Sequence, residues 1–223
     1  EDGVVLLDRF AYGRCIDPAT YERNREAADS ENKKVILCKN IDKLCIFTDK
    51  GQMHILKVLD LPMGKFRDKG VPVDNVSNFD NGKEEAIFIE ALSNIKGKML
   101  FFGTKTAMIK VVPGDEFDVA KRTTAATKLA DGDEVVTVSI IEPGDTACMY
   151  TENGYFLRID GNTVPEKKKA AIGVRGMKLS AGDSVKGMKI MGEGDTPVVK
   201  VKGKSVQPNR LHIANRDTKG VKK

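Results

Sequence analysis

No tryptophan occurs in this 223-residue chain, and only 6% of it is aromatic. A core must therefore be spread over Val, Ile, Leu and Met in small local clusters, which suits blades better than one large sandwich. Histidine is limited to His54 and His212, and the four cysteines, Cys15, Cys38, Cys45 and Cys148, stand at irregular spacings in apolar strand contexts. A zinc site would want paired C-x-x-C or a His-rich second half, so no metal site is expected. Buried free thiols in a reducing cytoplasm are the reading, with a disulfide as the alternative. No apolar run approaches the roughly 20 residues of a membrane span. No signal-peptide pattern opens the chain, which starts at Glu1 without Met and reads as a piece excised from a longer protein.

What the chain has is a repeat. A block of small polar residues, an acid or Lys, and then an apolar strand recurs about every 50 residues, at Glu31 to Leu37, Asn81 to Phe88, Asp131 to Thr137 and Ala181 to Lys186. Within each repeat two apolar strands flank a tight turn, as in Ile46 to Ile55, Phe101 to Ile109 and Met149 to Leu157. These are β-hairpins: Lys50-Gly51 and Asn153-Gly154 supply positive φ, whereas Thr106-Ala107 is a weaker turn that suggests a different loop geometry. Five units result, at approximately 1–33, 34–84, 85–133, 134–183 and 184–223, the first entered part-way through and the last short, with a turn at Lys202-Gly203-Lys204. Whether the ends complete one blade or leave an open spiral stays undecided. The expected fold is all-β and propeller-like, in four-stranded antiparallel blades. A helix is expected over Pro18 to Ala28, with Asp17 as N-cap and Pro18 in the first turn.

Net charge is +5, and its placement is informative. The polar loop after each hairpin carries cations: Arg23 and Arg25; Lys65, Arg67 and Lys69; Lys121 and Arg122; Lys167, Lys168 and Lys169, then Arg175 and Lys178; and finally Arg210, Arg216, Lys219, Lys222 and Lys223. Equivalent loops of a repeat protein project at equivalent places, so these side chains are expected to form one positive rim suited to a phosphate backbone. Solvated loops with no ligand are the alternative. No recognition helix is visible, and aromatic residues sit in strands rather than among the basic loops, which argues against single-strand stacking.

Catalytic patterns fail on inspection. Gly203-Lys204-Ser205 imitates the end of a phosphate-binding loop, but Val198 stands where that pattern needs Gly. Asp115, Glu116 and Asp118 share one loop without a partner carboxylate. Tyr12, Tyr150 and Tyr155 read as hairpin packing and Tyr21 as a loop anchor. No catalytic residue is assigned.

Phe66 to Gly70, Phe117 to Thr123, Ala171 to Leu179 followed by Gly182-Asp183, and Arg216 to Gly220 resemble the C-terminal domain of the A-type subunit of bacterial type IIA topoisomerases, DNA gyrase or topoisomerase IV. The resemblance covers nearly the whole chain. It implies a single β-pinwheel domain, propeller-like with strands exchanged between neighbouring blades, that binds and bends double-stranded DNA and presents it as the transport segment. It implies that the domain itself is not catalytic and binds no cofactor, the parent enzyme using ATP and Mg2+ elsewhere. The implied partners are the rest of the A-type subunit, the ATPase B-type subunit and double-stranded DNA, in a bacterial cytoplasm on the chromosome, with the fragment monomeric. Gyrase subunits carry a Gln-Arg-Arg-Gly-Gly-Lys-Gly heptad; the nearest segment here, Ala214 to Gly220, keeps one Arg, the Lys and the last Gly. That departure implies a topoisomerase IV-like protein or a gyrase with weakened wrapping. A propeller that scaffolds protein partners is the alternative function.

Overall fold

The computed structural model describes residues 1–223. In chain order, β1 (Asp2–Leu7) and β2 (Tyr12–Ile16) form a hairpin, followed by helices α1 (Pro18–Arg23) and α2 (Arg25–Glu31) and strand β3 (Lys34–Lys39). The next repeat has β4 (Lys43–Thr48), β5 (Gln52–Lys57), β6 (Val71–Pro72) and β7 (Ala86–Ala91), then α3 (Leu92–Ile95). The third has β8 (Met99–Thr104), β9 (Met108–Pro113), β10 (Thr123–Ala125) and β11 (Val135–Ile141). The fourth has β12 (Thr146–Thr151), β13 (Tyr155–Asp160), β14 (Val174–Arg175) and β15 (Val185–Met191). The last has β16 (Val199–Val201), β17 (Lys204–Val206), β18 (Ile213–Ala214) and β19 (Val221–Lys222).

The sheets run β3-β1-β2-β6, β10-β5-β4-β7, β11-β8-β9-β14 and β15-β12-β13-β18, with β19 also on β13 and β16-β17 as a separate hairpin. Each larger sheet is thus one repeat's hairpin flanked by two strands from farther along the chain. On one side lies the opening strand that follows the periodic polar block. On the other lies a short strand from the loop that returns after the next hairpin. Five sequence units therefore yield four such sheets, the fifth unit spending its outer strands on the fourth sheet. Some pairings depart from the antiparallel expectation: β18 runs parallel to β13, and isolated parallel bridges join Cys15 to Met63, Val111 to Glu166 and Met177 to Thr218.

By contacts the chain divides into two compact units, Glu1–Thr48, Gln52–Lys96 and Phe117–Thr124 in one, and Asp49–Gly51, Gly97–Glu116 and Ala125–Lys223 in the other. In the first, β1 buries both faces: Val5 and Leu7 pack with Ile36, Leu44, Ile46 and Leu56, while Val4 and Leu6 pack with Ile16, Tyr21, Ala28 and Phe66. Two buried faces explain the unbroken apolar run Val4-Val5-Leu6-Leu7, since alternate side chains point to opposite sides of a strand. In the second unit Phe101, Ile109, Met149, Leu157, Ile159 and Met188 share a cluster. Each such side chain stabilises by about 1.5–3 kcal/mol when taken from water.

The turns of the second, third and fourth hairpins share one geometry. Loops Asp49 to Gly51, Lys105 to Ala107 and Glu152 to Gly154 have three residues, and the left-handed conformation falls on the last, at φ 76°, 70° and 89°. Lys50 and Asn153 are not left-handed. The different geometry expected at Thr106-Ala107 is absent: Ala107 adopts the conformation elsewhere held by glycine, as does Ala11, at φ 63°. The reason is tertiary. The carbonyls of Ala11, Gly51, Ala107 and Gly154 accept hydrogen bonds from Val73, Ala126, Gly176 and Lys223 of the returning segments, at 2.9, 2.8, 2.7 and 3.0 Å. The polar block has a matching task, because Asp133 accepts from the Thr106 amide and Asp183 from the Asn153 amide, at 3.0 and 3.1 Å.

The helical segment breaks in two at Asn24, whose φ of −125° ends α1 before α2 begins. Asp17 caps α1 by accepting from the Thr20 amide. The last hairpin turns on Lys202 and Gly203, both with positive φ, the pair that a two-residue type I′ turn needs. All four cysteines are free, and burial pushes the thiols of Cys38, Cys45 and Cys148 up to about 12. No helix is long and apolar enough to cross a membrane.

Candidate nucleic-acid interface

Each returning loop is clamped on the second strand of the preceding hairpin, and a polar side chain rising from that strand holds it. Arg14 donates from Nη2 to the Phe66 carbonyl at 2.7 Å. Lys110, fully buried, donates from Nζ to the carbonyls of Lys168, Lys169 and Ala171 at 3.0, 3.2 and 2.6 Å. Arg158 donates from Nη1 to the carbonyls of Asn209 and Leu211, both at 2.9 Å. In the second sheet His54 takes this place, with Nδ1 2.8 Å from Thr123 Oγ1 and Nε2 2.6 Å from the Glu84 carboxylate. Burial lowers the Lys110 pKa to about 8, against the opposing charge of Glu116. The charge pattern of the loops does not reveal these anchors; the available signal was a lone cation inside an apolar strand, as in Ile109-Lys110-Val111 and Leu157-Arg158-Ile159.

Glycine makes the closest approach possible. Gly70, Gly173 and Gly220 each precede a short returning strand with φ of 81°, 105° and 79°. A Cβ on them would collide with the carbonyl oxygens of Gly13, Ile109 and Phe156. In the first and fourth sheets the preceding lysine lies over the tyrosine that opens the hairpin's second strand: Lys69 Nζ is 4.7 Å from the Tyr12 ring centre and Lys219 Nζ 4.8 Å from that of Tyr155. Lys222 also faces Tyr155, and Arg67 lies over Phe66, at 5.8 and 4.8 Å. Aromatic rings are therefore not confined to strands, since Phe66 and Phe117 lie in the returning loops. Cation–π contacts of exposed groups are worth about 0.5–1 kcal/mol and leave the charge open to a ligand.

Among the candidate cations, Lys65, Lys69, Lys121, Lys167, Lys168, Lys178, Arg210, Lys219 and Lys222 are exposed. Arg67 is paired with Glu31 at 2.9 Å, and Arg175 with Asp217 at 2.5 Å. Such surface pairs contribute about 0–1 kcal/mol and can exchange for phosphate. Arg122 reaches the Val76 carbonyl at 3.5 Å, and Lys169, half-buried, donates to the Glu116 carbonyl at 3.1 Å. Arg216, also half-buried, donates to the Arg175 carbonyl at 2.9 Å.

Arg23 and Arg25 stand apart from this pattern. They lie on α1 and α2 rather than on a returning strand, among Glu22, Glu26, Asp29 and Glu31, and Arg25 pairs with Glu22. The structure brings together Lys167 to Lys169 over Lys110, Lys219 and Lys222 over Tyr155, and Arg175, Lys178 and Arg216 around Asp217. Of the tyrosines, Tyr21 is buried in α1 and donates its hydroxyl to Asp29 at 2.7 Å, and Tyr150 stacks on Phe156.

Comparison with known proteins bears on this arrangement. The family model described as DNA gyrase C-terminal domain, beta-propeller, matches residues 42–93, 98–142 and 146–190, more than half of the chain. Each match runs from a hairpin to the next opening strand. The DNA gyrase A-type subunit of Lawsonia intracellularis is 26% identical over 99% of this chain and 29% of its own length. That of Chlamydia muridarum is 33% identical over 66% of the chain and 18% of its own length. The chain thus spans under a third of the curated relatives it matches. Among solved structures, the C-terminal domain of DNA topoisomerase IV superposes with a TM-score of 0.86 at 23% identity, over all of this chain and 72% of that one. The DNA gyrase A C-terminal domain superposes with a TM-score of 0.66 at 17% identity, over 99% and 76%. With its strand-exchanged sheets, an all-β arrangement of the β-pinwheel type, the chain belongs to the DNA gyrase C-terminal domain family.

Proposed function

We propose that this chain is a non-catalytic accessory domain, single in function from residue 1 to 223, that binds duplex DNA without sequence preference. It bends the duplex along its returning loops. The observation that carries the reading is recurrence: in each large sheet a cation-bearing loop is fastened by backbone and side-chain bonds to the same strand of the hairpin beneath it. The fastening side chains Arg14, His54 and Lys110 are buried, while most of the loop cations remain exposed. Phosphates need charge held at regular intervals, with no reading of base edges. A smooth bend of 40–90° over a short site costs on the order of 1–6 kcal/mol, which counterion release from roughly six to ten phosphate contacts offsets at low salt.

In the parent type IIA topoisomerase, the domain hands the flanking duplex to cleavage chemistry located elsewhere, where ATP and Mg2+ act; the domain holds no cofactor. Its partners are the remainder of its own A-type subunit, together with the ATPase B-type subunit, on the bacterial chromosome in the cytoplasm, and the isolated chain is a monomer. The degenerate heptad at Ala214 to Gly220 favours a topoisomerase IV-like or weakly wrapping parent.

The test is titration into short and long duplexes at several salt concentrations, with labels on the DNA ends. Binding that improves with length, falls with a log–log salt slope of about −5 to −9 and brings the ends together supports the reading. Weak binding without bending would overturn it in favour of a protein-binding scaffold.

A further inference from the structure

Asp217 occupies a position that its backbone does not suit. Its φ is +63°, a left-handed conformation that costs an ordinary L-residue roughly 1–2 kcal/mol and that Asn and Asp tolerate better than most. Glycine would sit there without strain, so the reason for an aspartate lies in its carboxylate. That carboxylate accepts from Arg175 Nε at 2.5 Å and Nη2 at 3.2 Å. The contact joins two returning loops 42 residues apart in the chain, and the backbone completes the joint. The Asp217 amide donates to the Gly176 carbonyl at 2.8 Å, and the Lys178 amide to the Thr218 carbonyl at 2.9 Å. Arg216 adds its bond to the Arg175 carbonyl. Hydrogen bonding by Arg175 comes first in holding the Asp217 carboxyl below the usual carboxylate range, with Lys178 and Arg216 adding charge. Asp68, the acid of the corresponding loop on the first sheet, is used differently: it accepts from the Lys65 amide inside its own loop.

We propose that Asp217 is a built-in counter-ion that occupies the Arg175 guanidinium and so sets how strongly this cationic surface takes a phosphate backbone. The inference rests on the DNA-binding reading above. A phosphate approaching Arg175 must displace a side-on carboxylate, and that exchange forfeits part of the gain of a new contact. Removing the carboxylate's charge releases Arg175 as an additional phosphate ligand.

The experiment compares the wild-type chain with D217N, which keeps the size and left-handed tolerance of the side chain, and with D217G, which also relieves the backbone. Duplex affinity is measured against salt, and thermal melts check the fold. D217N and D217G should both bind about 3–10-fold more tightly near 0.1 M salt, with a log–log slope steeper by about 1. Combining D217N with R175A should abolish the gain. If the wild type binds in a salt-dependent way and both variants match it in affinity and slope, the counter-ion role is overturned while the DNA reading stands. Weaker binding by folded D217N would overturn it equally, because the carboxylate would then be orienting Arg175 for the ligand. A wild type that binds no duplex overturns both.

Discussion

Replacing Lys110 by methionine separates the effect of burying a charge from the effect of the bonds it makes. The ammonium is fully buried, and desolvation takes its pKa from the ordinary 10.5 to about 8. An unfolded chain therefore keeps this proton until about pH 10.5, whereas the folded chain releases it near pH 8. Between those values the unfolded state binds more protons, so the stability set by this site rises with pH. Below about pH 8 both states are protonated and the penalty for the buried charge is fully present. At roughly 1.4 kcal/mol per pH unit, the gap amounts to about 3 kcal/mol. Near pH 7 methionine removes that penalty but leaves the carbonyl of Lys169 without this donor, while Lys168 retains the Ala171 amide at 3.0 Å and Ala171 the Thr127 hydroxyl at 3.2 Å. With about 1–3 kcal/mol for the one carbonyl left unsatisfied, the loss offsets most of the gain there. At pH 10.5 only the loss remains, since a neutral amine still donates. Urea denaturation of wild type and Lys110→Met between pH 7 and 10.5 is the assay, and the wild-type advantage should grow by about 3 kcal/mol across it. A difference that stays flat with pH would show that Lys110 titrates like an exposed lysine, and the clamp described for the Lys167 to Lys169 loop would be wrong.

Gly220→Ala places a methyl group against the Phe156 carbonyl at φ 79°; the variant should lose at least about 2 kcal/mol in a denaturant melt, and wild-type stability would contradict the close approach. Reversing charge at Arg67, Lys69, Arg216 and Lys219 together should flatten the salt slope of DNA binding by about 3–4 with an unchanged circular dichroism spectrum; unaltered affinity would mean that other loops carry the phosphates. Cys45 and Cys148, buried with thiols pushed up to about 12, should resist a thiol reagent at pH 8 until urea unfolds the chain. Fast labelling of the native protein would show that these strands open.

Much of the architecture was legible because it is local. The periodic polar block, the apolar runs on either side of each turn and the glycines at 51 and 154 act over a few residues, so hairpins and opening strands follow from alternation and turn chemistry. Asp17 and Pro18 likewise announce the start of α1, but its end at Asn24 is not announced, because the segment beyond it remains helix-compatible in composition. The cations of the returning loops were visible as charge. Their fastening was not, since the Lys110 and Arg14 bonds to loop carbonyls span 52 to 61 residues of sequence.

What the amino-acid order alone determined, then, is the place of each hairpin and the charge carried by each loop. Tertiary structure decided which hairpin each returning loop would join, why Ala107 takes a conformation normally left to glycine, and that Asp217 would neutralise Arg175. The physical reason is that a two-residue strand such as Val71–Pro72 or Val174–Arg175 has too few backbone bonds to choose its partner by itself. Its place is settled by a turn carbonyl, a buried cation and a glycine without a Cβ, which meet only once the sheet exists.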